Sequence, residues 1–476
     1  MKNQLIISIL FGLFSITAFT SCAIEDEESL AVESISQILT SADGSRLLQE
    51  KVSPIEWDDE MVSRAPTISI NLSTKYQKMD GFGYTLTGGS AILLSQMSTT
   101  ARSKLLRELF GRGEGEIGVN YLRLSVGASD LDPEVYTYND LPQGETDVDL
   151  SEFSIDRDRS FLLPILKEIL AINPDIKILS SPWSPPVWMK DNGNSIGGSL
   201  LPQFYDPYAN YLVKYVEAMA AEGVRIDALT IQNEPLHPGN NPSLLMLAED
   251  QQVFVRDHLG PAFAKTTLST KLIVYDHNCD KPEYPLTILD DPEAKKFIDG
   301  SAFHLYGGEI SALSTVHDAH PDKHLYFTEQ YTNINGNFAE DFMWHAKALH
   351  IDAPNNWAKN VLEWNLAADP TASIHTPGGC TVCLGAITID GDSITRNAAY
   401  YSVAHSSKWV PDGSQRVATT QAFDGVPPHV AYVTPSGKTV LIAINEEETE
   451  KEFIVVLKDK STSLRLPART VGTFKF

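Results

Sequence analysis

The sequence predicts an α/β fold: a closed (β/α)8 barrel with an accessory antiparallel β-sandwich built from both chain ends. Three observations carry this expectation. Eight short apolar strand candidates alternate with amphipathic helical runs between residues 79 and 410. From 411 to the C-terminus the pattern changes to alternating polar and apolar residues broken by turn residues. A similar alternating stretch, TISINLS (67–73), precedes the barrel and assigns 63–78 to the same sandwich.

Taken in order, the barrel strand candidates are GFGYTL (81–86), NYLRLSV (120–126), IKILSSP (176–182) and IDALTIQN (226–233). LIVYDH (272–277), GSAFHLY (300–306), HLYFTEQ (324–330) and VLEWNL (361–366) complete the eight. Runs such as TTARSKLLRELFG and DPYANYLVKYVEAMAAEG lie between them, with apolar residues at helical spacing. An open doubly wound sheet is the alternative, but no G-x-G-x-x-G follows any strand, so its dinucleotide-binding form lacks support. In the tail, QRVATTQAF, HVAYVTP, KTVLIAIN, EFIVVLK and RTVGTFKF read as sandwich strands.

The 476 residues carry 62 Asp and Glu against 37 Lys and Arg, a net charge of −25. That field repels phosphate backbones and bare anionic lipid, so nucleic acid is not an expected partner, whereas a neutral ligand is compatible with it. The chain opens with Lys2, the apolar run LIISILFGLF and the small residues before Cys22. This resembles a bacterial lipoprotein signal (1–22), with Cys22 as the lipid attachment site; the alternative is a plain secretory peptide with an incidental cysteine. The acidic AIEDEES that follows resembles the surface-export signal of Bacteroidetes lipoproteins. The expected location is therefore the outer membrane, facing outward, with membrane contact only through the N-terminal lipid. Residues 23–62 are polar and poor in periodic signal, and read as a tether. CTVC (380–383) reads as a small-loop disulfide or as half a zinc site; no second C-x-x-C or close histidine pair completes the latter, which favours structure over metal. Cys279 is expected to be unpaired and buried.

In a parallel barrel the C-terminal strand ends converge on the active site. Strand 4 runs into Asn233-Glu234, and Pro235 stops it there. Strand 7 ends in Thr328-Glu329, and strand 2 carries Arg123, with Asp130 shortly after it. Strand 3 leads to Trp183, strand 6 to His304 and Tyr306, and strand 8 to Trp364 and Asn365, with Glu363 a further acid near the mouth. Two carboxylates, several aromatic rings and no phosphate cradle describe a sugar site. An acetal is cleaved when one carboxylic acid protonates the leaving oxygen and a carboxylate attacks the anomeric carbon. The expected carboxyl separation is the short one, about 5–5.5 Å, which gives retention of configuration.

These residues sit in the motifs DGFGYTLTGGSA, VNYLRLSVGASDLD, SSPWSPPVWMKDNG, LTIQNEP, FHLYGG, FTEQY and WNLAADP. The ordered series resembles glycoside hydrolase family 30, the family of lysosomal glucosylceramidase, from about residue 67 to 476. The resemblance implies a TIM barrel with a sandwich from both ends, and a retaining, metal-free reaction without cofactors. It implies Glu234 as general acid/base, Glu329 as nucleophile and Asn233 as holder of the sugar 2-hydroxyl. It implies that Arg123 hydrogen-bonds the nucleophile, that Asp130, Trp183 and Trp364 line the sugar subsite, and that His304 and Tyr306 stand near the nucleophile. The CTVC pair departs from the glucosylceramidase branch and looks like the branch containing microbial endo-β-1,6-glucanases. The expected activity is therefore that of an endo-β-1,6-glucanase on β-1,6-linked glucan, with an exo-acting β-glucosidase or glucosylceramidase-like enzyme, or a xylan or galactan hydrolase, as the alternative. A non-catalytic glycan-binding lipoprotein is disfavoured by the presence of both glutamates.

Overall fold

The structure is a computed structural model that describes residues 34–58 and 65–476; the signal segment and Cys22 lie outside the described residues. Three strands precede the barrel: β1 (Ser34–Ser41), β2 (Gln49–Pro54) and β3 (Thr67–Lys78). The next seven are β4 (Gly81–Thr85), β5 (Tyr121–Val126), β6 (Lys177–Pro182), β7 (Ala228–Thr230), β8 (Lys271–Cys279), β9 (Ile298–Gly308) and β10 (His324–Glu329). A short β11 (Thr332–Asn333) comes before β12 (Ala358–Glu363). The connection after β12 holds β13 (Ala367–Ala368), β14 (Cys383–Leu384), β15 (Ile387–Asp390) and β16 (Ser393–Arg396). The chain ends in β17 (Gln415–Ala422), β18 (His429–Val433), β19 (Thr439–Asn445), β20 (Lys451–Leu457), β21 (Lys460–Leu466) and β22 (Thr470–Lys475).

β4 to β10 and β12 close into an eight-stranded parallel barrel, as expected from the alternation of strands with helices. Its interior is packed by one residue from almost every strand: Tyr121, Leu179, Ala228, Ile273, Ala302, Tyr326 and Leu362. Side chains repeat their direction every second residue along a strand. Two positions on from this apolar plug, toward the C-terminal ends, the inward residues are Arg123, Ser181, Thr230, His304, Thr328 and Trp364. The site thus rests on a dry apolar floor, and its polar groups begin one layer above it.

The remaining strands form one sheet in the order β2-β1-β22-β19-β18-β17-β3-β20-β21, antiparallel except where β3 meets β20. It encloses a second core that includes Ile35, Ile68, Leu441, Phe453 and Phe474. Residues 34–54 correct the expected tether: β1 and β2 are part of this sheet, with β1 paired along β22. SISQILTS hides its strand character because its C-terminal half is buried on both faces. Thr40 and Ser41 are fully or almost fully buried, yet satisfied by His405 (2.9 Å) and Thr470 (2.8 Å). No polar face is left to alternate.

Two strand ends also differ from expectation. β7 is only three residues long, so Asn233 and Glu234 lie beyond it in an irregular turn where Glu234 has φ of 45°. β12 starts at Ala358 and stops at Glu363, so Trp364 and Asn365 follow the strand rather than belong to it.

Candidate active site

The polar layer is organised by a carboxylate that the sequence reading missed, Asp276. β8 carries a register irregularity between Tyr275 and His277, and both Tyr275 and Asp276 have positive φ (73° and 70°). The bulge turns Asp276 into the barrel. One of its oxygens accepts from Arg123 Nη2 (2.9 Å), Ser181 Oγ (3.0 Å) and Thr230 Oγ1 (2.7 Å). The other meets His304 Nε2 (3.1 Å) and accepts from Thr328 Oγ1 (2.6 Å). Burial alone would raise this carboxyl, but the Arg123 charge and the hydrogen bonds hold it far below the usual range. An acid inside the apolar run LIVYDH was the available signal: a buried charge without a partner is too costly to keep.

Arg123 is fully buried and holds four groups at once. Nη2 donates to Asp276 and to Asn233 Oδ1 (2.6 Å), Nη1 pairs with Glu329 Oε2, and Nε donates to Ser181 Oγ (3.1 Å). Its guanidinium also lies 4.9 Å from the Trp183 ring centroid and 5.9 Å from that of Trp364. A planar fork with five donors suits this position, and a lysine could not reproduce it.

Glu234 and Glu329 meet above this layer. A carboxylate oxygen of each, together with a ring nitrogen of His304, all lie within 4.8 Å of one another. His304 Nδ1 is 3.2 Å from Glu234 Oε1 and 3.8 Å from Glu329 Oε1. The histidine expected beside Glu329 is therefore nearer Glu234, and it bridges that acid to Asp276. Tyr306 donates its hydroxyl to Glu329 Oε1 (3.0 Å). Burial and then the neighbouring Glu234 charge raise Glu329, against the pull of His304 and Arg123. At Glu234 burial also acts upward, but the hydrogen bond and charge of His304 outweigh it and lower the group. Burial would lower His304, yet Glu329, Asp276 and Glu234 push it up to about 9. The three groups therefore hold their protons jointly, and no one of them titrates alone.

Over the pair opens a pocket of about 390 Å³. It is lined by seven of the expected residues, Asp130, Trp183, Asn233, Tyr306 and Trp364 with Glu234 and Glu329 themselves, and by His237, His277 and Tyr331, which the sequence reading did not single out. Trp183 and Trp364 are almost fully buried, with ring centroids 5.4 Å apart. Asp130 is buried too, and accepts the Cys380 backbone N–H (3.2 Å). Burial pushes it up to about 7, with the Glu329 and Glu234 charges adding to the shift against that hydrogen bond. Cys380 and Cys383 form a disulfide that also lines the pocket, and β14 at Cys383 pairs with β11, just past Glu329. Cys279 is buried and free.

Glu363 is not at the mouth. It points away from the pocket and accepts from Ser402 Oγ (2.7 Å), beside His345 (2.6 Å) and His350 (3.1 Å). It alternates in direction with Leu362, which fills the barrel, so it faces the surrounding helices. Asn365 sits against Ser90 and Thr87 rather than over the glutamates.

A barrel whose strand ends bring two carboxylates together under a ring-lined pocket belongs to the glycoside hydrolases. Comparison with known proteins gives the family. Residues 79–410 match the glycosyl hydrolase family 30 TIM-barrel domain, and residues 413–474 match the family's β-sandwich domain. The chain belongs to glycosyl hydrolase family 30. Among its relatives, an endo-1,6-β-D-glucanase of Neurospora crassa is 31% identical over 439 residues, covering 88% of this chain and 87% of that one. The lysosomal acid glucosylceramidase of Mus musculus is 29% identical over 410 residues, covering 80% and 78%. Among solved structures, the endo-β1,6-glucanase BT3312 superposes with a TM-score of 0.86 at 33% identity, covering 93% of this chain and 98% of that one.

Proposed function

We propose that this enzyme is a retaining endo-β-1,6-glucanase. The observation that carries the reaction type is the approach of Glu234 and Glu329, a carboxylate oxygen of one lying within 4.8 Å of a carboxylate oxygen of the other. That spacing suits attack by a carboxylate; an inverting pair stands roughly 6.5–9.5 Å apart to admit a water. The linkage rests on the relatives named above as β-1,6-glucanases.

In this reading Glu329 attacks the anomeric carbon and forms a glycosyl ester, while Glu234 protonates the departing oxygen. Glu234 then takes a proton from water as that water cleaves the ester, and configuration is retained. Arg123 and Tyr306 donate to Glu329 and stabilise the carboxylate when it leaves the sugar again. The acid proton comes from the joint store. Transfer from His304 Nδ1 to Glu234 leaves a neutral imidazole whose Nε2–H still serves the permanently ionised Asp276. Asp130, Trp183 and Trp364 hold the ring at the subsite over the pair, and Asn233, fixed by Arg123, presents its amide beside it.

We place the enzyme at the cell surface, anchored by a lipid on Cys22, where a polymer too large for uptake is first cut. Labelling with a radioactive fatty acid tests this: wild type should incorporate the label and Cys22→Ser should not. The substrate reading is tested on β-1,6-glucan, β-1,3-glucan, xylan, galactan and glucosylceramide, with product lengths measured. Early release of mixed oligosaccharides from β-1,6-glucan is expected. Glucose alone, or turnover of glucosylceramide in place of the polymer, would move the assignment to the glucosylceramidase-like alternative.

A further inference from the structure

A second and larger cavity, of about 570 Å³, adjoins the catalytic pocket; Tyr306 lines both. One wall is the segment after the inward part of β9, from Leu305 to Ile310. The other is the helix Phe338–Lys347, and the far end is closed by Glu446 and Arg469 of the sandwich sheet. The groove therefore runs from the tyrosine that donates to Glu329 into the crevice between barrel and sandwich.

Its aromatic content is unusual for this molecule. Among the described residues, three aromatic side chains are exposed: Tyr306 (37%), Trp344 (44%) and Phe423 (52%). Two of the three line this groove. Most tryptophans here are buried or half-buried, so an uncovered indole calls for a reason. Trp344 is flanked on its own helix by Glu340, one turn before, and Lys347, one turn after. Glu340 is tied to Arg469 (2.6 Å) and Lys347 to Glu446 (2.9 Å), both on the sandwich. These two ion pairs leave the indole uncovered between them and hold the helix in place. The result is a flat apolar face set among charged donors and acceptors, with Tyr306 standing between it and the main site. A pyranose offers an apolar face and a rim of hydroxyls, which is the complementary surface. Four of the charged groups pair with one another, and the two others lining the groove, Glu309 and Asp352, are acids, so the groove favours a neutral ligand over an anion.

We propose that this groove is a distal glycan-binding subsite, with Trp344 as its stacking platform, and that it holds a remote stretch of the same glucan chain that is cut over Glu234 and Glu329. This rests on the proposed polysaccharide activity and extends it. It makes Trp344 a determinant of chain length and leaves bond cleavage to the pocket.

The test compares wild type, Trp344→Ala and Trp344→Phe on polymeric β-1,6-glucan and on an aryl β-glucoside too short to leave the pocket. Trp344→Ala should lower kcat/KM on the polymer about tenfold, mainly through KM, as loss of one aromatic anchor does. It should leave the aryl glucoside rate and the melting temperature unchanged, and Trp344→Phe should keep most of the polymer activity. Equal rates on the polymer, or an equal fall on both substrates, would overturn the proposal. If wild type prefers another β-glucan, the linkage reading fails, and the same comparison on that polymer still decides the groove. If wild type cleaves no glycan, retardation in gels containing each glucan replaces turnover. Retardation of wild type that Trp344→Ala loses supports the subsite, and none in wild type overturns it.

Discussion

Glu234 and Glu329 are the same residue type in one pocket, and they have different neighbours. Glu329 is gripped by Arg123 and Tyr306, whereas Glu234 touches only the His304 imidazole among charged or phenolic groups. Glu329→Gln should reduce turnover at least about a thousandfold, because no ester can form, while circular dichroism and melting temperature stay near wild type. Retained activity would remove Glu329 from the mechanism. Glu234→Gln should still form the ester from an aryl glucoside with a good leaving group, and then stall. Added azide should restart it and yield a β-glycosyl azide, identified by mass spectrometry and NMR. His304 makes a separate prediction about pH. Its folded pKa, about 9, exceeds the ordinary 6.5, so the imidazolium stabilises the fold fully below pH 6.5, and that stability is lost as pH rises through 9. Asp130 and Asp132 are both pushed up to about 7, so their cost to stability has developed by then and is level above it. Burial lowers Lys190 to about 7, below its ordinary 10.5, so its contribution to stability rises over the same range and opposes that of His304. The His304 share is therefore read by difference: from pH 7 to 9 the melting temperature of the substrate-free wild type should fall relative to that of His304→Gln, and parallel profiles would remove the imidazolium from the account. Asp276 and Asp130 mark what the sequence hid at this scale: a strand run did not disclose which way a bulge would turn an acid, nor that an acidic loop would be buried.

At the scale of elements, the rim loop after β12 does two jobs. Its Cys380 N–H holds Asp130, and its disulfide links that contact to the β14–β11 ladder beside Glu329. A disulfide closing so short a loop contributes about 2 kcal/mol or less by loop entropy. Cys380→Ser with Cys383→Ser should therefore lower the melting temperature modestly. The larger effect should be a raised KM for glycans, since Asp130 loses its fixed orientation, with kcat falling less. Steady-state kinetics on an aryl glucoside and on polymer would show whether KM or kcat moves. The strands themselves were legible because their apolar runs alternate with helical spacing. Their ends were not. β7 stops at Thr230 because the backbone there turns to bring Asn233 onto Pro182 (2.8 Å) and Glu234 onto Asp276 (3.0 Å), contacts with other strands that no local pattern encodes.

For the whole molecule, both chain ends build the sheet that backs the barrel, and the join is dense. The helix Ala398–Ser407 is buried along its full length, and His405 within it bonds Thr40 of β1 and Thr473 of β22. Deleting residues 34–54 should expose the edge of β22 and strand His405, so that the chain aggregates or melts several degrees lower than wild type, as differential scanning calorimetry would show. The amino-acid sequence by itself determined the barrel, the C-terminal sheet and the identities of the two glutamates, because hydrophobic period and strand-end chemistry are local properties. Only the tertiary structure decided that β1 and β2 belong to the sheet, that Asp276 is the hub beneath the pair, that Glu363 faces away, and that an uncovered tryptophan borders a groove leading from the site. Each depends on which distant strand or helix lies alongside, and burial on two faces or a bulge in one strand leaves no periodic trace in the chain.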